Sequence, residues 1–576
     1  MKRRDFLKIS ALAGVATLLA ACTPEVLKET VVVKETSVVK ETSVVKETSV
    51  VKETVEVEKQ PTPVQQVMIG AFDVGPHGCP QCYDPLKRSV GYWWLTKMWA
   101  PLAFFDATGT KRIPELAESW EVKKDDGTVW QVKLRKGLKW SDGQPLTVND
   151  LYYQHKLFAN PEYSGERAII YGKDYVGGTE YAEGKAKEIS GIKVIDDTTL
   201  EYTFVVPNPL FEPTNYYMEF AEHHWSKFSP KEIATGQLYK EPRPCCGPFV
   251  WSKWVQDQYT EVVANPNYWR GKPKLDRLIN RYFDNETTAV LALQRGEIDF
   301  TYIGRDVVPS LKKVPNYTVI AGSSGVANFI ALNFREPAIQ DLRVRQAFMY
   351  AIDRDKIIET LYKGTAQKLK SLFSQAEFNP SDLTDYAFDP EKAKALLKEA
   401  NFKQDKEWEL ITYYSDQLSM NVLQAIQKYL ADVGIKTVPR AVDTPTFNSF
   451  QPIGKDWVVA YIGQSHFRGA SDARGRWARD QQPDALGDCK NMHDCYPSID
   501  VVTKNIALAM SSLNAEERVK ATQDVARTMN QELTDIWLWV AERYGAVNNR
   551  VKNFQFAPLP ANAGFYDQSE KWEIVP

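Results

Sequence analysis

The sequence predicts an α/β protein of at least two lobes, on three observations. At 576 residues the chain exceeds a single compact core. Strand-like and helix-like stretches alternate along most of it. The run Asn328 to Ile358 shows the unit in miniature. Its apolar stretch Phe329-Ile330-Ala331-Leu332 reads as a strand, and Glu336-Pro337 as a turn. Asp341 then starts a helix whose Val344, Ala347, Phe348, Ala351 and Ile352 recur at three- and four-residue steps, with Arg343, Arg345, Arg354 and Lys356 mostly on the other face.

The composition bounds the function. The net charge is −3, without the basic excess that a nucleic-acid surface needs. The chain carries 16 Trp and 27 Tyr. Such residues build a large aromatic core, or line a cleft with ring faces that carry a polar tip. Both readings stand.

The first 22 residues read as an address. Lys2-Arg3-Arg4-Asp5-Phe6-Leu7-Lys8 precedes an apolar run, Ile9 to Ala21, too short to span a bilayer. The paired arginines resemble a twin-arginine signal, and Leu19-Ala20-Ala21-Cys22 resembles a bacterial lipobox. That resemblance implies a mature protein beginning at lipid-modified Cys22, outside the cytoplasm and held at a membrane. Residues 23–66 repeat Val-Val-Lys-Glu-Thr with lysines at 28, 34, 40, 46 and 52, a period of six that matches neither a helix face nor a heptad. Gln60-Pro61-Thr62-Pro63 closes the segment as a stiff linker.

The globular region begins with a strand at Val67 to Ala71, followed by a loop through His77, Cys79, Cys82 and Tyr83 and a helix through Tyr92-Trp93-Trp94-Leu95. Asp125-Asp126-Gly127 makes a hairpin turn into the alternating strand Val129 to Leu134. Thr147 caps a helix beginning near Asn149-Asp150. Helices are expected over Asp284–Gly296, Glu391–Ala400, Met420–Val433 and Glu516–Leu533. Strands are expected over Glu409–Tyr413, Lys436–Val442, Asp456–Ile462 and Ile536–Val547.

Seven segments occur in one order across residues 114–402: IPELAESWEV, WQVKLRKGLKWSDGQPLTVNDL, GPFVWSKWV, ANPNYWRGKPKLDRL, LQRGEIDF, RVRQAFMYAIDRDKI and FDPEKAKALLKEANF. Together they resemble the bacterial extracellular solute-binding proteins of family 5, the oligopeptide-, dipeptide- and nickel-binding components of ABC importers. The resemblance covers roughly residues 67–560. It implies a two-lobed periplasmic-binding-protein-like fold of the large type II, with an extra subdomain in the first lobe. On that reading residues 67–327 form lobe I with an inserted subdomain at about 105–235. Residues 328–535 form lobe II, and 536–576 return to lobe I.

Six cysteines follow Cys22: Cys79, Cys82, Cys245, Cys246, Cys489 and Cys495. An even count outside the cytoplasm reads as disulfides. Six cysteines allow 15 pairings, which the sequence leaves open; the expectation is Cys489 with Cys495 across a short polar loop, and cross-pairing of Cys79 and Cys82 with Cys245 and Cys246 would staple the first lobe. The rival, a four-thiolate metal site, suffers from the poor geometry of adjacent cysteines, so no metal is assigned. No HExxH, GxSxG or GxxxxGK[ST] pattern occurs, and no catalytic residue is assigned.

Binding makes better use of the aromatics. In relatives that take peptides, the resemblance places an Asp for the ligand's ammonium in a Trp-x-x-Asp-Tyr-type segment. The comparable stretch here, Trp457 to Gln464, lacks it, and the nearest is Asp472. Ligand candidates are His77 and Tyr83 in the first loop, Tyr461, Gln464, His466 and Arg468 in the second lobe, and Trp537, Trp539 and Glu542 on the return strand. The expectation is a monomeric lipoprotein without cofactor. It closes two lobes on a peptide-like or oligosaccharide ligand and hands it to ABC permease subunits. The alternatives are a secreted hydrolase and a sensory receptor component of the same fold.

Overall fold

The structure is a computed structural model that describes residues 65–72, 96–106, 112–163, 174–211, 218–234, 243–255, 257–450, 457–477, 499–555 and 567–576. The expectations for the signal, Cys22, the linker, His77, Tyr83, Cys79, Cys82, Cys489, Cys495 and the Tyr92–Leu95 helix lie outside the described residues.

An 11-stranded mixed sheet runs through the described chain. Its strands are β1 (Val67–Ala71), β2 (Phe249–Val255), β3 (Tyr259–Ala264), β4 (Arg277–Arg281), β5 (Phe300–Ile303), β6 (Tyr317–Leu332), β7 (Ala366–Lys368), β8 (Trp408–Thr412), β9 (Thr437–Ala441), β10 (Val459–Ser465) and β11 (Asp535–Asn548). The order is β9-β8-β10-β6-β11-β5-β1-β4-β3-β2, with β7 also on β11. β6 has 16 residues and β11 has 14, and they pair antiparallel from Tyr317↔Asn548 to Ala331↔Asp535. One end of this pair carries β5, and the other carries β10 and β7.

The pair has a waist. Ser323 lies opposite Glu542 and Ala327 opposite Val540, so Ser324, Gly325 and Val326 face Ala541 alone. The extra residues form a bulge that bends and twists the ladder, and Gly325 adopts a φ of 61°, which a glycine takes without steric cost. On the far edge of β11 the partner changes there too, from β5, which ends at Ile303↔Tyr544, to β7, which begins at Ala366↔Ala541.

Two hydrophobic cores flank the waist. One gathers Phe329, Phe348, Leu410, Ile426, Ile462 and Trp537, and the other Phe72, Trp99, Trp140, Tyr202, Phe249 and Leu278. The second-lobe helices enter by capping. Asp341 accepts from Arg343 N at the start of Leu342–Ala351, and Asp416 accepts from Ser419 N at the start of Gln417–Val433. The latter buries Val422, Leu423, Ile426, Leu430 and Val433, a stripe at helical spacing. A separate four-stranded antiparallel sheet joins Ala117–Val122, Val129–Leu134, Thr199–Thr203 and Ile192–Asp196. Thr147 and Asp150 form a capping box on the helix Val148–Ala159 beside it.

Two expectations change. The crossing strand begins at Tyr317, well before Phe329, because Gly322, Ser323, Ser324 and Gly325 blur the apolar signal without breaking the ladder. Arg345 and Arg354 leave the solvent face and are buried. Arg345 donates to the carbonyls of Ile339, Gln340 and Glu532, and Arg354 to those of Leu369, Trp537, Asp385 and Tyr386. A guanidinium with five donors suits such clusters of carbonyls at helix and loop ends. Cys245 and Cys246 are both buried, and their expected cross-pairing with Cys79 and Cys82 involves residues outside those described. Cys246 is a buried thiol that donates to Met218 O at 3.3 Å and accepts from Ala100 N at 3.4 Å. Burial pushes the Cys245 thiol up to about 12.

Candidate functional site

The sheet topology fixes where the groove lies. β1 runs parallel to β4 and β5, and β5 ends opposite Tyr544, heading toward the waist. β8 runs parallel to β10, and β10 ends at Ser465 opposite Val326, heading toward the waist from the other side. The carboxyl ends of parallel strands in both lobes therefore converge on one groove, crossed by β6 and β11. Ligands of open α/β sheets sit at such strand ends.

The second lobe supplies β10 and its exit. Tyr461 is 1% exposed, its ring 5.8 Å from that of Tyr414. Gln464 accepts from Arg476, which also pairs with Asp535 at 2.6 Å. His466 donates its backbone N–H to Gly325 O at 2.9 Å, so it sits on the waist bulge. Among the described residues its Nε2 has no hydrogen-bond partner, and burial pushes the imidazole down to about 4, keeping it neutral. Arg468 holds Asp472 through its backbone N–H at 2.7 Å and its Nε at 3.4 Å. Asp472, the nearest acid to the expected ammonium position, is thereby engaged within its own loop.

Trp537 and Trp539 are 1% and 0% exposed. Trp537 packs 5.0 Å from Phe329, and Trp539 Nε1 donates to Tyr362 OH at 3.0 Å. Glu542 is exposed at the waist. Its carboxylate accepts from Tyr544 OH at 2.5 Å, and its N–H donates to Thr365 O at 3.1 Å. Tyr461, Trp537 and Trp539 thus belong to the hydrophobic core of this lobe, whereas Gln464, His466, Arg468 and Glu542 are less buried.

Residues missed in sequence stand at the other strand ends. After β8 come Tyr413 and Tyr414, whose hydroxyls are 3.2 Å apart, and then Asp416. Gly463 N donates to Tyr413 OH at 3.4 Å. From the first lobe come Glu286, which accepts from Gly304 N, and Arg543, whose guanidinium lies 3.5 Å from the centre of the Tyr302 ring. Burial raises the Glu286 carboxyl above its ordinary range. Asp306 and Asp416 push the same way, and Arg543 opposes. Asp416 belongs to the other lobe, so the two walls interact electrostatically. The rule that loops after parallel strands carry function was the available signal.

Farther along, a cavity of about 370 Å³ lies between Phe105, Arg112 and Leu210 on one side and Phe378, Arg468, Asp472 and Thr522 on the other. That volume falls at the small end of ligand sites. Among the described residues no group of three His, Cys, Asp or Glu side chains could hold a metal ion. Among them, too, no helix is long and apolar enough to cross a membrane.

Two lobes joined by crossing strands, with strand ends facing one groove, define the class of two-lobed solute-binding proteins. The model of bacterial extracellular solute-binding proteins, family 5 middle, matches residues 111–471. A Brucella melitensis protein, provisionally named an ABC transporter peptide-binding protein, is 33% identical over 88% of this chain and 93% of its own. The dipeptide-binding protein of Escherichia coli is 28% identical over 57% of this chain and 62% of its own. In fold, the oligopeptide-binding protein AppA of Bacillus subtilis, solved with a nonapeptide, superposes with a TM-score of 0.73 at 18% identity, over 88% of this chain and 99% of that one. NikZ of Campylobacter jejuni, solved with Ni(L-His), gives 0.72 at 20%, with the same coverage. The chain belongs to the bacterial extracellular solute-binding proteins of family 5.

Proposed function

We propose that this chain is the extracytoplasmic solute-binding component of an ABC importer. It captures a peptide-like ligand by closing its two lobes and delivers it to the permease. The convergence of strand ends from both lobes on a groove crossed by only two long strands carries the reading. Two crossing strands with a bulge can bend, so a ligand touching both walls stabilises the closed form over the open one. The relative named for peptide binding favours a peptide over an oligosaccharide.

Gln464, His466, Arg468 and Glu542 offer hydrogen bonds and charge, with the buried Tyr461, Trp537 and Trp539 as packed support beneath them. Neutral His466 contributes no charge to a ligand's ammonium. Asp416 on one wall and Glu286 and Asp306 on the other are acids that stand at strand ends. His77 and Tyr83 belong to the same proposal through the loop after β1. The protein acts as a binder and not as an enzyme, as a monomer without cofactor. Lipidated Cys22 holds it at the membrane and residues 23–66 serve as tether.

Mass spectrometry of whatever co-purifies with the protein tests this. Peptides released on mild unfolding are expected. Oligosaccharides alone would overturn the peptide assignment.

A further inference from the structure

Three contacts join the lobes away from the crossing strands. Asp174 Oδ1 and Arg474 Nη1 are 3.3 Å apart. The Arg468 guanidinium lies 4.2 Å from the centre of the Phe105 ring. Leu513 Cδ2 sits 2.8 Å from where a side chain on Gly127 would begin. Each side uses three separate segments. Phe105 ends the strand Ala103–Phe105, Gly127 lies in a hairpin turn, and Asp174 adjoins the Tyr175↔Phe204 bridge. Opposite them, Arg468 leads into the helix Ala470–Trp477, which carries Arg474, and Leu513 turns between Asp500–Ser511 and Ala515–Glu532.

Two of these contacts lie at the surface, with the Asp174 and Arg474 side chains 40% and 25% exposed and Leu513 54% exposed, while the third seats Arg468 on Phe105, which is 3% exposed. Making the two surface contacts buries little and breaking them strands nothing, as a reversible contact requires. Gly127 has a φ of 71°, so the residue that suits the turn also leaves the space that Leu513 occupies. The contacts lie beside the cavity of about 370 Å³, whose walls come from both lobes, Phe105 and Arg468 among them. Opening the groove by bending at Ser324–Val326 would separate all three pairs and unroof that cavity while leaving both cores intact.

We infer that these pairs form a latch, Asp174–Arg474, Phe105–Arg468 and Gly127–Leu513, which adds to the ligand's own contacts in setting the balance between open and closed forms. The inference rests on the two-lobe capture proposed above. The ion pair makes the latch salt-sensitive, so the closed fraction falls as ionic strength rises.

Small-angle scattering of the full-length protein tests it, with a tryptic digest of casein as probe. Wild type contracts as digest is added. Arg474→Glu places two acids together and requires about fivefold more digest for the same contraction. The exchange D174R/R474E restores the wild-type titration. If Arg474→Glu titrates as wild type does, or the exchange fails to restore it, the latch is wrong and peptide capture stands. If digest contracts none of the three, peptide capture falls, and the ligand-free proteins still decide the latch. A larger radius of gyration in Arg474→Glu alone upholds it, and equal radii overturn it.

Discussion

Arg476 and Asp535 form an ion pair at 2.6 Å with both side chains almost excluded from solvent. The guanidinium also lies over the rings of Phe329, at 4.9 Å, and Trp537, at 5.5 Å, and donates to Gln464. One side chain thus ties the helix Ala470–Trp477 to the start of β11 and to β10. Removing one partner of a buried pair leaves an uncompensated charge. Arg476→Met should therefore lower unfolding free energy by about 3–5 kcal/mol in urea titrations. Adding Asp535→Asn to that variant should recover part of the loss.

Buried core positions and the less buried positions beside them predict opposite phenotypes. Trp537→Ala and Trp539→Ala each empty a filled core position and should destabilise by about 3–5 kcal/mol. Trp539→Ala also removes one of the hydrogen bonds of the Tyr362 hydroxyl, which keeps Tyr461 as a partner. Arg468→Ala, at a half-buried position, should leave the melting temperature within about 2 °C while weakening capture of casein peptides. Paired melting and binding measurements on the three variants check this.

Acid should destabilise the protein through two histidines. His155, fully buried against Tyr202 OH at 2.9 Å, is pushed down to about 3, and His466 to about 4, both by burial. The folded state keeps these rings neutral while the unfolded chain takes up protons near 6.5. Their contribution is complete above pH 6.5 and is lost as pH falls toward 4. His466→Gln should flatten stability against pH across that window, read by urea midpoints at half-unit steps.

Glu115 is buried and accepts from Tyr268 OH at 2.7 Å, Trp269 Nε1 at 2.8 Å and Arg270 at 2.7 Å. Arg135 and Arg270 both lie over the Trp269 ring, at 4.1 and 4.2 Å. This network joins the segment entering the four-stranded sheet to the loop after β3. Glu115→Gln turns an amide N–H toward a donor and should cost about 2 kcal/mol, measured by thermal unfolding.

Local elements were legible because their causes are local. Thr147, Asp341, Asp389 and Asp416 each cap the helix that follows, and the apolar spacing of Gln417–Val433 names its buried face. The pairing of Tyr317 with Asn548 joins residues far apart in sequence, and no periodicity encodes it. Arg345 and Arg354 looked exposed because charge was read without the carbonyls that would receive it. The strand expected over Asp456–Ile462 is found at Val459–Ser465. Tyr413 was read as a strand end and Tyr414 to Asp416 as a connection, because their place beside the groove follows from strand direction, which only the sheet reveals.

Isothermal titration calorimetry of casein tryptic digest into the full-length protein tests peptide capture most directly. The account predicts saturable heat, with a negative heat-capacity change as apolar surface is buried between the lobes. Absence of heat, or a steady signal that never saturates because peptides are being cleaved, would contradict it.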